Sequence, residues 1–266
     1  MKSRIKKIIA SNRKNIIFKS IDVFCQKYHN AFENSNYDFD ANGEWRVLVC
    51  INKVFSVKTI FDVGANKGLW ALTASKIFSN AQIHCFEIIP DTFNTLADNL
   101  GGRLNIFLNN VGLSNKEVML DVNYFNGKSE LSTIFESDHV FDSKVVNCKV
   151  IKGDEYCRLN NIEIIDFLKI DTEGSEHLVL EGLEIMIKQR AIKIIQFEYG
   201  RININTKFLL KDFYKLFNEN GYKVGKIYPN HVDFSDYSLH MENFIGPNFI
   251  AIDEKLNNLI DMLANK

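Results

Sequence analysis

TIFDVGANKG, residues 59–68, reads as a short apolar strand that runs into a glycine turn and opens a helix. Gly64 and Gly68 let the backbone approach a ligand and turn sharply, and the free N–H groups of the helix that follows face the strand ends. Outward from there the pattern continues as strand and helix in alternation. It predicts a helix over 69–78, a strand over 82–88, and a helix over 91–100 closed by Gly101-Gly102. A third strand follows at 105–111, a fourth at 164–170, an amphipathic helix at 175–189 and a fifth strand at 192–197. A helix at about 208–220, a strand from Tyr222 and a last strand near 248–252 complete the series. Such alternation predicts a parallel sheet wound on both faces, with function at the carboxyl ends of its strands. Residues 117–160 break the rhythm, and 119–122 and 145–151 suggest added β structure there.

The dinucleotide fingerprint G-x-G-x-x-G requires glycine at 66 and 69, where this chain has Asn66 and Leu69, so NAD is disfavoured. Glu87 ends the second strand, 23 residues beyond Gly64, where an acidic side chain can accept hydrogen bonds from both hydroxyls of a ribose. An adenosine without a pyrophosphate fits this turn. Taken singly, Gly64 and Gly68 could be an ordinary tight turn and Glu87 a solvated strand end. The strand, turn, helix, strand and acid in that order favour the ligand.

The 266 residues suit one α/β domain with additions. Hydrophobic residues make up 46% and include 21 Phe, enough for a sizeable core, so disorder, collagen and coiled coil are excluded. With 32 Lys+Arg against 33 Asp+Glu there is no general basic field for phosphate backbones, so nucleic acid is not expected as a partner. Cys25, Cys50, Cys85, Cys148 and Cys157 are scattered and form none of the close pairs of a zinc site or disulfide framework. They read as buried thiols in a reducing cytosol. No stretch approaches a membrane span, and the basic N-terminus lacks a secretory apolar core. The expected location is cytoplasmic.

Residues 1–20 carry seven basic side chains and no acidic one, with Ile5, Ile8, Ile9 and Ile16 near one helical face. A helix at a membrane surface and a helix docked on the domain are the two readings; the docked one is preferred, because an interfacial helix usually shows a bulkier apolar face. Residues 34–43, NSNYDFDANG, read as a linker. The expected units are therefore a basic N-terminal helical extension with its linker at 1–40, a main domain at 41–255 and a tail helix at 256–266.

FDVGANKG, CFEIIPDTFNTLADN at 85–99, NVGLS at 110–114, FLKIDTEGSEHLVLEG at 167–182 and IQFEYG at 195–200 together resemble the FkbM family of S-adenosylmethionine-dependent methyltransferases. The resemblance covers roughly residues 34–252, and KIDTEGSE in register with FDVGAN is its most specific part. It implies the class I methyltransferase (Rossmann-like) fold, a doubly wound seven-stranded sheet with its last strand antiparallel, and S-adenosylmethionine lying over the first two strands. It further implies that Asp62, Gly64, Asn66 and Gly68 line the methionine side, Glu87 the ribose, and Asn110 with Val111 the adenine edge. The NGE at 42–44 resembles a motif placed before the first strand, which puts Glu44 at the pocket's edge.

Asp171 and Glu173 leave the fourth strand, and Glu198 the fifth, where an acceptor should meet the cofactor. Close carboxylates raise one another's pKa, which suits a general base, or they hold a hard cation such as Mg²⁺. For Asp171 and Glu173 the plain alternative is capping of the next helix, and for Glu198 an exposed strand end. His177 reads as a surface or packing residue. His231 lies in KIYPNHVDFSDY, near aromatic side chains suited to a sugar ring, and is the substrate candidate; its plain alternative is a loop histidine with no chemical task. The expected reaction is O-methylation of a hydroxyl on a small-molecule or glycan acceptor, with the acceptor pocket shaped by residues 128–141 and 228–237. The rivals are an NAD-dependent oxidoreductase and a non-catalytic binding module of a glycan-assembly system.

Overall fold

A computed structural model of the chain describes residues 2–125 and 143–265. The amino-terminal part forms helices α1 (Lys2–Ser11), α2 (Ile16–Phe32) and α3 (Glu44–Val54). Then come β1 (Thr59–Val63), α4 (Leu69–Ile77), β2 (Gln82–Phe86), α5 (Pro90–Leu100) and β3 (Ile106–Asn109). The middle holds β4 (Gly112–Ser114), β5 (Val118–Phe125), β6 (Ser143–Lys152) and α6 (Gly153–Leu159). The rest is β7 (Ile165–Ile170), α7 (Glu176–Gly182), α8 (Glu184–Lys188), β8 (Ile192–Glu198), α9 (Asn203–Thr206) and α10 (Leu210–Glu219), followed by β9 (Tyr222–Ile227), β10 (Val232–Asp233), β11 (Asn248–Asp253) and α11 (Asn257–Ala264).

The main sheet runs β3-β2-β1-β7-β8-β11-β9-β10. β1 pairs in parallel with β2 on one side and β7 on the other, so the strand order reverses at β1 and leaves a crevice at its carboxyl end. β11 is antiparallel to both neighbours, β8 and β9. This is the class I methyltransferase arrangement. The seven expected strands are joined by an eighth, the two-residue β10, which pairs with β9 at the edge. The added β structure is a separate sheet, β4-β6-β5.

Successive strand residues bury to opposite faces, as the pleat dictates. Phe61, Phe86, Leu168 and Phe197 pack with Phe213 and Phe217 of α10 on one side. Ile60, Ile83, Phe167 and Ile194 pack on the other with Val47, Leu48 and Ile51 of α3 and with Leu259 and Leu263 of α11. Helix α3 was not anticipated, although Val47, Leu48 and Ile51 carry the helical spacing.

Two expectations need correction. The single helix over 175–189 is two, because the carboxylate of Asp154 accepts from the N–H groups of Ile185 and Met186 (3.0 and 3.1 Å) and so caps a new start after Leu183. The N-terminal helix does not dock on the domain: α1 and α2 are separate helices, and α2 has no buried residue. Residues 128–141, expected to shape the acceptor pocket, lie outside the described residues. Among the described residues, no helix is long and apolar enough to cross a membrane.

Candidate active site

The loop after β1 is built on backbone contacts. Gly64 and Ala65 both donate to the carbonyl of Phe86 (3.0 and 2.9 Å), which closes the turn onto the end of β2. Gly64 takes φ +82°, and a Cβ there would fall 1.8 Å from the carbonyl oxygen of Asp171, so only glycine lets the ends of β1 and β7 lie this close. Asn66, also in the left-handed region at φ +48°, turns its N–H onto Glu87 Oε2 (3.0 Å). The other oxygen, Oε1, accepts from the N–H of Ile89 (2.8 Å). Burial pushes the Glu87 carboxyl up to about 7 against these two hydrogen bonds.

The carboxyl ends of β7 and β8 bring Asp171, Glu173 and Glu198 together, with one oxygen from each within 4.8 Å of the others. Glu173 is held at φ +50°, a conformation that non-glycine residues adopt mainly where surrounding structure enforces it. Glu176 supplies the enforcement. Its buried Oε1 accepts from the N–H and hydroxyl of Thr172 (3.0 Å each) and from the N–H of Gly174 (3.2 Å), folding the 171–175 turn back on itself. Glu198 is half-buried, and loss of solvent together with Asp171 and Glu173 holds its carboxyl well above the ordinary range.

Between these two clusters lies Lys169, a buried ammonium on β7. Its Nζ donates to Asp171 Oδ2 at 2.8 Å, stands 3.8 Å from Asp62 Oδ1 and lies over the Trp70 ring. Burial opposes its charge, but Asp171, Asp62 and Glu44 overcome that and hold it above its ordinary value. Asp62 is fully buried with neither oxygen hydrogen-bonded, and burial raises it to about 6 despite Lys169. Glu44 completes the floor: it accepts from the side-chain amides of Asn42 (2.6 Å), Gln196 (2.5 Å) and Asn248 (3.0 Å).

One cavity of about 1320 Å³ joins all of this. Gly64, Asn66 and Glu87 line it beside an apolar slot of Ile88, Leu113, Leu120 and Val122. Asp171, Glu173 and Glu198 line its other half with Tyr37, Phe39 and Arg201. Four of the proposed cofactor positions stand back from the wall. Asp62 lies beneath it, next to Lys169, which itself reaches the lining. Gly68 packs where a Cβ would meet Leu96 and Leu100 at 2.6 Å. Asn110 donates to the carbonyl of Glu87 (2.8 Å) and ties the ends of β2 and β3 together. Val111 packs against the core, and it is Gly112, Leu113 and Ser114 that reach the cavity. His231 is not part of the lining: it stacks on Tyr228 (5.1 Å between ring centres) and shares a hydrogen bond with Asn230 (2.8 Å) in the loop before β10. His177 stacks on Phe208 (5.3 Å) as a packing residue.

Lys169, Glu176 and the 37–40 stretch were not singled out from sequence. Lys169 had a signal, a lysine between Leu168 and Ile170 in the buried strand IDFLKI. Glu176 had one too, an acid three residues after Glu173 at a helix start. Tyr37, Phe39 and Asp40 had none, since a turn-forming composition says nothing about what the turn packs against.

The profile of the Methyltransferase FkbM domain matches residues 62–224, more than half of the chain. Among characterised relatives, Methyltransferase 1 of Beauveria bassiana (strain ARSEF 2860) is 25% identical over 144 residues, 47% of this chain and 58% of that protein. Methyltransferase sdnD of Sordaria araneosa is 29% identical over 157 residues, 47% of this chain and 60% of that protein. The solved Methyltransferase FkbM from Methylobacillus flagellatus KT superposes with a TM-score of 0.45 at 14% identity, covering 74% of this chain and 44% of that one. The matches thus span less than two-thirds of each of these relatives. The β1 turn, Glu87 and the acidic turn after β7 all fall within the matched 62–224 span, and on that match the chain belongs to the FkbM methyltransferase family.

Proposed function

We propose that the chain is an S-adenosylmethionine-dependent methyltransferase that O-methylates a hydroxyl of a sugar or secondary-metabolite acceptor. The observation that supports this best is the single cavity with Glu87 on one side and Asp171, Glu173 and Glu198 on the other. Each Glu87 oxygen accepts one backbone N–H and keeps a further lone pair, so two neighbouring ribose hydroxyls find acceptors there. The bare Cα of Gly64 lets the ends of β1 and β7 meet at the cavity, and the Ile88–Leu113–Val122 slot suits a purine face.

Bound there, S-adenosylmethionine supplies an electrophilic methyl group. The chain's contribution is then mostly alignment, for which well-oriented reactants gain effective molarities of about 10⁵–10⁸ M. Glu198 takes the acceptor's hydroxyl proton, its raised pKa making the carboxylate a stronger base. Asp171, tethered by Lys169, and Glu173 position the hydroxyl. Tyr37 and Phe39 offer apolar faces, and Arg201 and Asp40 polar contacts, for an acceptor such as a sugar. The close spacing of the three carboxylate oxygens favours a second reading, in which they hold Mg²⁺ and the acceptor oxygen is oriented by the ion.

Calorimetry with S-adenosylhomocysteine tests the cofactor half, and a panel of hydroxylated acceptors with mass detection of methylated product tests the other. The proposal fails if S-adenosylhomocysteine does not bind, or if every methylated product carries the methyl group on nitrogen or carbon.

A further inference from the structure

We propose that α1 and α2 form an arm that docks on an anionic phospholipid surface, with the apolar face of α2 in the headgroup boundary and the basic side chains of residues 2–19 on lipid phosphates. This goes beyond the methyl-transfer reading and does not depend on it.

Ile17, Ile21, Phe24, Tyr28 and Phe32 follow one another along α2 at spacings of three or four, which places them on one face. All five are exposed, Phe24 at 68% and Phe32 at 64%. Soluble monomers rarely leave so continuous an apolar strip uncovered. The bulky face whose absence told against a membrane helix in residues 1–20 is supplied by the residues just beyond.

Charge decides what covers the strip. Lys2, Arg4, Lys6, Lys7, Arg13, Lys14 and Lys19 precede or flank it, and residues 1–20 contain no acid. On α1, Ile5, Ile8 and Ile9 form a narrower exposed stripe beside these cations. Pairing two arms face to face would bring fourteen positive charges together, whereas each Lys or Arg near an anionic bilayer is attracted to it. A cationic helix pair with isoleucine and aromatic side chains on its apolar side is the pattern of an interfacial anchor.

The arm is also mounted to project. Just past its end, Glu33 pairs with the buried Lys226 (2.7 Å), and the amide of Asn34 donates to the carbonyls of Asn42 and Ile227 (2.8 and 3.0 Å). The carboxyl end of α2 is thereby fixed to the domain while the rest of the helix stays clear of it.

Co-sedimentation of the full chain with vesicles tests this. Binding to equimolar phosphatidylcholine and phosphatidylglycerol should be at least about tenfold tighter than to phosphatidylcholine alone, and should weaken with salt. The double variant Ile21→Asp/Phe24→Asp and the charge variant Lys6→Glu/Lys7→Glu should each lose it with an unchanged melting temperature. Tryptophan emission of Phe24→Trp should shift to the blue on adding the anionic vesicles. A chain that stays in the supernatant with both lipids overturns the proposal. So does an Ile21→Asp/Phe24→Asp variant that turns a dimer into a monomer while vesicle binding persists, since a second copy would then be the occupant.

Discussion

The carbonyl oxygen of Asp171 lies where a side chain on Gly64 would have to be, 1.8 Å from the position of its Cβ. The strand end that should carry the cofactor and the strand end that carries the acidic turn are thus one backbone junction. Gly64→Ala should therefore damage both at once. Left-handed strain alone costs about 1–3 kcal/mol, and the overlap forces the strand ends apart. We expect a lower melting temperature and loss of S-adenosylhomocysteine binding by calorimetry. An alanine variant that still binds normally would show that the junction is looser than described.

Glu87→Ala removes two hydrogen-bond acceptors from the proposed ribose position. At about 1.5–3 kcal/mol for each bond to a charged group, S-adenosylhomocysteine affinity should fall at least about tenfold with the fold retained. Unchanged calorimetric affinity would remove Glu87 from the cofactor site.

The same carboxyl sets a pH dependence with opposite signs for affinity and stability. In the ligand-free protein Glu87 titrates at about 7, against 4.5 when unperturbed, so between these values the folded chain holds a proton that the unfolded chain has released. Stability should fall as pH rises through that window, by up to about 3 kcal/mol from Glu87 alone, with Asp62 acting in the same sense between 3.8 and about 6. S-adenosylhomocysteine affinity should instead rise toward alkaline pH, because the ionised carboxylate is the form that accepts both hydroxyls. Thermal melts and calorimetry across pH 5 to about 8 measure the two slopes, and Glu87→Gln should flatten both.

Lys169→Met should be among the most destabilising single changes in the chain. It leaves the buried Asp62 and the neighbouring Asp171 without their cation, and breaking a buried pair in this way typically costs about 3–5 kcal/mol. The loss should shrink in acid, where both carboxyls can protonate. Chemical denaturation of the variant at two pH values checks this, and a uniform loss at both would assign Lys169 a packing role instead.

Asp171→Asn and Glu198→Gln should abolish turnover while S-adenosylhomocysteine binding is largely kept. An active Glu198→Gln variant would exclude Glu198 as the base. Treatment with EDTA divides the two readings of the acidic cluster: activity that persists supports proton transfer to Glu198, and activity that vanishes and returns with Mg²⁺ supports a bound cation.

How much of this was legible in the chain depends on how local the cause is. The β1 turn and the strand-end position of Glu87 follow from backbone chemistry within a few residues, and they could be read directly. The split between α7 and α8 could not, because Asp154, which caps α8, sits some thirty residues upstream. Lys169 was visible as a lysine within a buried strand, but its partner Asp62 becomes a neighbour only through the pairing of β1 with β7. The helix spacing of Val47, Leu48 and Ile51 was plain and went unread. His231 was chosen for its aromatic company, and that company proved to be Tyr228 of its own loop, outside the cavity lining.

Tyr37, Phe39 and Asp40 line the cavity from a segment without regular structure, secured on one side by the amide of Asn34 and on the other by the bond between Asn42 and Glu44. Phe39 also packs against the core of the main sheet, whereas Tyr37 and Asp40 are exposed. On the proposed reading, selectivity for the acceptor can therefore be engineered at Tyr37 and Asp40 while the scaffold and the proposed nucleoside pocket stay as they are.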